Sequence, residues 1–140
     1  MPAGSAAGTD RARRLRAPLV AVGVTAAATA LVAVRSPYEP GAYGYCPIRA
    51  LTGLWCPGCG GLRAVHDLAH LDLAGAWAMN PLVVLAVPVV VLLWARWAAR
   101  SWRGRPSPTT GVVGSVALAV VLVTFMVLRN VPALAPALAP

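Results

Sequence analysis

The sequence predicts an all-α membrane protein, with three transmembrane helices plus a short amphipathic helix in the first loop. Three observations lead there. Of 140 residues, 59% are hydrophobic and only 11% are charged, against about a quarter charged in an ordinary soluble domain. Three apolar runs each approach the length needed to cross a hydrocarbon core of about 30 Å. All the chemistry-bearing side chains of one small constellation fall in a single loop between the first two runs. Every basic residue is an arginine; with the abundant Ala, Val, Gly and Pro this points to a GC-rich bacterial genome and says nothing of activity.

Segment 1–16 is read as a basic N-terminus, its first ten residues small and polar and expected to lack structure. Segment 17–34 is the first span, free of charge between Arg16 and Arg35. It has a rival reading as a secretory signal peptide, with Arg11, Arg13, Arg14 and Arg16 as n-region and Ala28-Thr29-Ala30 as cleavage site. The apolar run exceeds the usual h-region and the triplet lies inside it, so a retained span is expected. Segment 35–80 is the loop. The second span, 81–97, opens with Asn80 as cap and Pro81 at the first helical position. Pro88 removes one amide donor, so a kink is expected between Val84 and Pro88. Trp94, Trp97 and Trp102 fit an interfacial belt. Segment 98–111 is a basic linker containing the Pro/Ser/Thr stretch Gly104–Thr110. The third span is 112–128, and 129–140 is an Ala/Pro tail that cannot continue the helix regularly.

Orientation follows from the arginines. Four precede the first span, and Arg96, Arg100, Arg103 and Arg105 lie between the second and third. Arg35, Arg49, Arg63 and Arg129 lie on the opposite side, giving eight against four. The positive-inside rule then makes the N-terminus and linker cytoplasmic and turns the cysteine loop outward, in a bacterial cell membrane. The net charge of +8 is explained this way and not by nucleic acid.

The loop reads CPIRALTGLWCPGCGGLRAVHDLAHLDLAGAWAMNP from Cys46 to Pro81. Cys56 and Cys59 flank a tight turn in which Pro57 fixes one backbone angle and Gly58 frees the next. A helical pattern follows. On its wheel Leu62, Val65, Ala69, Leu73 and Ala76 share one face, with Arg63, His66, Asp67 and His70 on an adjacent stripe. Asp72 offers an alternative cap that would break this helix near Leu71.

Cys56, Cys59, His66 and His70 present thiolates two apart and then imidazoles at i and i+4, donors that suit zinc. The spacing between the pairs is shorter than in common zinc fingers. Cys46, Cys56 and Cys59 with one histidine form a second possible set. Redox chemistry is the other reading, since Cys59 at a helix N-terminus beside Arg63 should have a lowered thiol pKa. A structural disulfide is its plainer form, and three cysteines leave one over. The plain reading of the histidines is hydrogen bonding at the interface. Arg63 either pairs with Asp67 at i+4, contributing about 0.2–0.5 kcal/mol, or meets a lipid phosphate. The spans hold no ionisable residue in their interiors, which argues against an ion pathway through them.

The order Cys46-Pro47, Cys56-Pro57-x-Cys59-Gly60, Arg63 and Asn80-Pro81 resembles the bacterial family called domain of unknown function 2752. That resemblance implies a small membrane protein without an assigned activity. His66 and His70 lie outside the family's motif. Two functions are weighed, the first as the expected one and the second as its alternative. One is a non-enzymatic membrane module acting with another membrane protein or a second copy of itself. The other is a zinc-binding or thiol-redox membrane enzyme or sensor.

Overall fold

A computed structural model describes residues 4–39, 41–44, 46–106 and 111–140, with the side chains of 4–9 excepted. Every regular element in that range is helical: α1 Gly4–Val34, α2 Pro47–Thr52, α3 Gly61–Ala69, α4 Leu73–Met79, α5 Pro81–Trp102, α6 Val112–Arg129 and α7 Ala135–Leu138. Three are long and apolar enough to cross a membrane, over Asp10–Val34, Pro81–Trp102 and Val112–Arg129. Lipid offers the backbone no hydrogen-bond partner, which makes the helix the form available to a lone spanning segment.

Each span is longer than its apolar run. The backbone of α1 is helical from Gly4, where an unstructured start was expected. The stretch is rich in alanine and arginine, both good helix formers, and Arg14 pairs with Asp10 at 2.8 Å one turn earlier. Likewise α5 continues through Arg96 and Arg100 to Trp102. The expected kink falls within a helix that runs unbroken past Pro88. Of the expected linker Gly104–Thr110, residues 107–110 lie outside the described residues.

The loop between the first two spans carries three short helices where one was foreseen. Pro47 at the first position starts α2, and Gly53, at φ 72°, ends it. The second possibility raised by Asp72 is the one realised. Its carboxylate accepts the Gly75 amide at 2.8 Å, and Leu71 at φ 63° separates α3 from α4.

Along the membrane α1 packs on α5, and the loop helices α3 and α4 sit over that pair. The indole of Trp94 donates to the carbonyl of the buried Pro18 at 3.0 Å, so this tryptophan seals a helix contact. Trp102 stacks with Arg11, 4.7 Å from ring centroid to guanidinium carbon. Among the described residues α6 packs chiefly on α7 and not along the other two spans. The third span is fastened to the rest through the polar residues at its C-terminal end.

On α3 the large apolar side chains are not the ones that turn inward. Ala64 and Asp67 are buried while Leu62 is 44% exposed. Where the surroundings are apolar, a large hydrophobic side chain gains little by turning inward. Small and polar groups then occupy the protein side.

Candidate functional site

The turn from Trp55 to Gly60 is held from beneath by three polar side chains. Asn80, capping α5, is fully buried. Its side-chain amide donates to the carbonyls of Pro57 at 2.9 Å and Cys59 at 3.1 Å. Its Oδ1 accepts the Val83 amide at 3.2 Å. Asn130, just past α6, accepts the Trp55 amide at 2.9 Å and donates to the Trp55 carbonyl at 2.8 Å. Arg129 closes α6 and is fully buried. Its guanidinium donates to the carbonyls of Leu138 at 2.6 Å, Met79 at 3.0 Å and Cys56 at 3.1 Å. The carbonyls of Trp55, Cys56, Pro57 and Cys59 thus each receive a side-chain donor from the ends of α5 and α6. Gly60 completes the turn at φ 73°, and a Cβ there would lie 2.5 Å from the Met79 carbonyl oxygen. Only glycine fits that position.

This scaffold brings the three sulfurs together. Cys46 Sγ and Cys59 Sγ each lie 3.3 Å from Cys56 Sγ, and all three fall within 4.8 Å of one another. Cys56 is buried and the other two are partly exposed. Cys46 arrives on the entry to α2, and Thr52 and Gly53 reverse the chain between it and Cys56.

The thiols are not equivalent, and their order differs from the sequence expectation. Cys46 is the one held below the ordinary thiol range, chiefly by the Arg49 backbone amide and then by the Cys56 thiol. Cys59 is pushed up to about 11, first by burial and then by its neighbour Cys56. The expected lowering of Cys59 fails because desolvation outweighs the short helix behind it.

The histidines do not join the sulfurs. His66 Nδ1 meets the Val32 carbonyl at 2.8 Å, tying α3 to the end of α1. His70 Nδ1 meets the His66 carbonyl at 2.8 Å, and the two rings lie 4.3 Å apart. Among the described residues the three-thiol group is the cluster with metal-ligand geometry. Nor does Arg63 pair with Asp67, since the one ion pair among the described residues is Arg14–Asp10. Asp67 instead accepts the Tyr38 hydroxyl at 2.7 Å. That hydroxyl is pushed up to about 12, first by burial and then by this bond. Arg63 lies over the Tyr38 ring, 5.2 Å from its centroid.

Beside the sulfurs opens a cleft of about 470 Å³, whose walls include Cys46, Cys59, Arg49, Arg63 and Trp55. Cys56 forms no part of its wall.

The segment carrying this geometry is also the one that comparison recognises. Residues 46–94 match the family described as protein of unknown function (DUF2752). The DUF2752 segment covers about a third of the chain. It contains Asn80 and all three cysteines and stops before α6. No curated protein and no solved structure matches the chain. Sequence reasoning counted Arg129 only for topology and passed over Asn130. The available signal was an arginine–asparagine pair closing a span, immediately before Val131-Pro132.

Proposed function

We propose that the protein is a multi-pass cell-membrane module whose DUF2752 loop holds a thiophilic metal ion, zinc in the first instance, through Cys46, Cys56 and Cys59. The carrying observation is the convergence of three sulfurs above a fully buried guanidinium that bonds only carbonyl oxygens. A buried cation needs compensating negative charge. Three thiolates around a dication leave one net negative charge, which matches Arg129. Tetrahedral zinc with bonds of about 2.3 Å places its sulfurs about 3.8 Å apart, close to the separations here. Three protein ligands leave a fourth coordination position, and the adjoining cleft gives a ligand access to it. That is the arrangement of reactive rather than purely structural zinc.

In this reading the N-terminus and the α5–α6 linker are cytoplasmic and the metal loop is outside, supported by the eight-to-four arginine distribution. The histidines contribute packing and not ligation. Another membrane protein, or a second copy of this chain, is the expected partner of the largely uncovered α6.

Elemental analysis with free-thiol counting on detergent-purified protein tests the reading. One metal per chain, with all three thiols recovered after chelation, is expected. Metal-free protein with a Cys46–Cys56 or Cys56–Cys59 disulfide overturns it. Thiol–disulfide exchange then becomes the better reading, because Cys56 stands at the same 3.3 Å from both other sulfurs.

A further inference from the structure

The cleft next to the sulfurs carries charge that the metal reading leaves unused. Arg49 and Arg63 line it from α2 and α3, and neither forms an ion pair among the described residues. Each lies over an aromatic ring. The Arg49 guanidinium carbon sits 3.2 Å from the Trp55 ring centroid, and that of Arg63 sits 5.2 Å from Tyr38. Stacking on a ring fixes the plane of a guanidinium while leaving its N–H edge free to donate. Arg63 spends one weak contact on the Pro37 carbonyl, with Nε at 3.5 Å. Two pre-oriented cations facing one cavity of about 470 Å³ make a receptor for an anion with several oxygens. The volume is that of a small-molecule site.

Position and rim select the class of anion. The cleft lies where the spans end. Val32 near the end of α1 contacts His66, Asn80 opens α5 beneath the turn, and Arg129 closes α6 against it. It therefore stands at the depth of lipid headgroups. The helix α2, which forms one wall, buries none of its residues. Its Ile48 is 42% exposed and its Leu51 85%, and Leu62 on the facing wall is 44% exposed. Apolar side chains bordering a basic cleft at the interface match a molecule with an anionic phosphate and a hydrocarbon chain.

We infer that the cleft between α2 and α3 binds a phosphate group through Arg49 and Arg63, and that the phosphate belongs to a membrane lipid. This stands apart from the metal reading, since it needs the two arginines and the rim and no metal.

The test uses the full chain in a phosphate-free maltoside detergent. Binding of short-chain phosphatidylglycerol and of inorganic phosphate is measured by calorimetry, on protein as purified and after chelation. The wild type is expected to bind the lipid at one site. Arg49→Gln and Arg63→Gln should each weaken that binding by about tenfold or more, the loss of one charge-assisted contact. Helix content and metal-to-protein ratio should match the wild type. Arg49→Gln is the safer variant, because α2 buries none of its residues and the side-chain contact given up is the Trp55 ring. Arginine-dependent lipid binding in both metal states supports the inference, even where no metal co-purifies. Arginine-dependent binding of inorganic phosphate without lipid binding overturns the lipid source and leaves a soluble phosphate as ligand. Binding of neither, or lipid binding indifferent to both substitutions, overturns the cleft itself.

Discussion

Replacing Arg129 by methionine tests the scaffold beneath the sulfurs. The substitution keeps an unbranched apolar stem and removes three donors, those to Leu138, Cys56 and Met79. Hydrogen bonds to a charged donor contribute about 1.5 kcal/mol or more each, and the carbonyls left behind in a buried place lose a partner as well. The bond to Cys56 alone contributes about 1.5 kcal/mol, or about tenfold in the equilibrium for opening the turn, and all three losses together come to about 4.5 kcal/mol or more. Maleimide labelling of Cys56 and Cys59 in chelated, detergent-purified protein reads that opening directly. The methionine variant should label far faster than wild type and lose affinity for the metal. Arg129→Lys, which keeps the charge but presents a point donor instead of a planar fork, should recover only part of the protection. A methionine variant that labels at the wild-type rate and retains its metal would refute the clamp.

Three further outcomes follow from the same geometry. Gly60→Ala combines a φ of 73° with a Cβ 2.5 Å from a carbonyl oxygen, so it should cost more than about 2 kcal/mol and lower the metal-to-protein ratio. Asp72→Ala removes the cap of α4 and should lower thermal stability by about 1 kcal/mol, measured by circular dichroism, while leaving the thiols in place. In metal-free protein, iodoacetamide alkylation followed by mass spectrometry should find Cys46 reacting at lower pH than Cys59. The Cys46 thiol is held low and forms thiolate early, whereas Cys59, pushed up to about 11, stays protonated through neutrality. Equal onsets for the two would contradict the assigned asymmetry.

The spans, the Cys56–Cys59 turn and the two caps at Asp72 and Asn80 were legible because each rests on a local rule: run length, turn chemistry or capping. The wheel groups the apolar face and the polar stripe of α3 but does not say which turns inward, because that depends on what surrounds the helix. With lipid nearby, Ala64 and Asp67 are inside and Leu62 is not. The Arg63–Asp67 pair failed for a different reason. Tyr38, 29 residues earlier, offers Asp67 a hydroxyl, and no helical spacing announces a partner that distant. Arg129 and Asn130 were overlooked on the same ground, reaching Cys56 and Trp55 from 73 and 75 positions away. Thiol reactivity was inverted because burial, which only the assembled turn creates, acts on Cys59 more strongly than a short helix does.

The clamp also imposes an order on biogenesis. Cys56 leaves the ribosome 73 residues before Arg129, and two of the donors that hold its turn arrive only with α6 and the residue after it. Until α6 is inserted, the carbonyls of Trp55 and Cys56 must be served by water, and the loop stays open to ions and oxidants. Closure of the turn therefore waits for the insertion of α6. A chain stalled or truncated before Arg129 would display its cysteines without ever enclosing them.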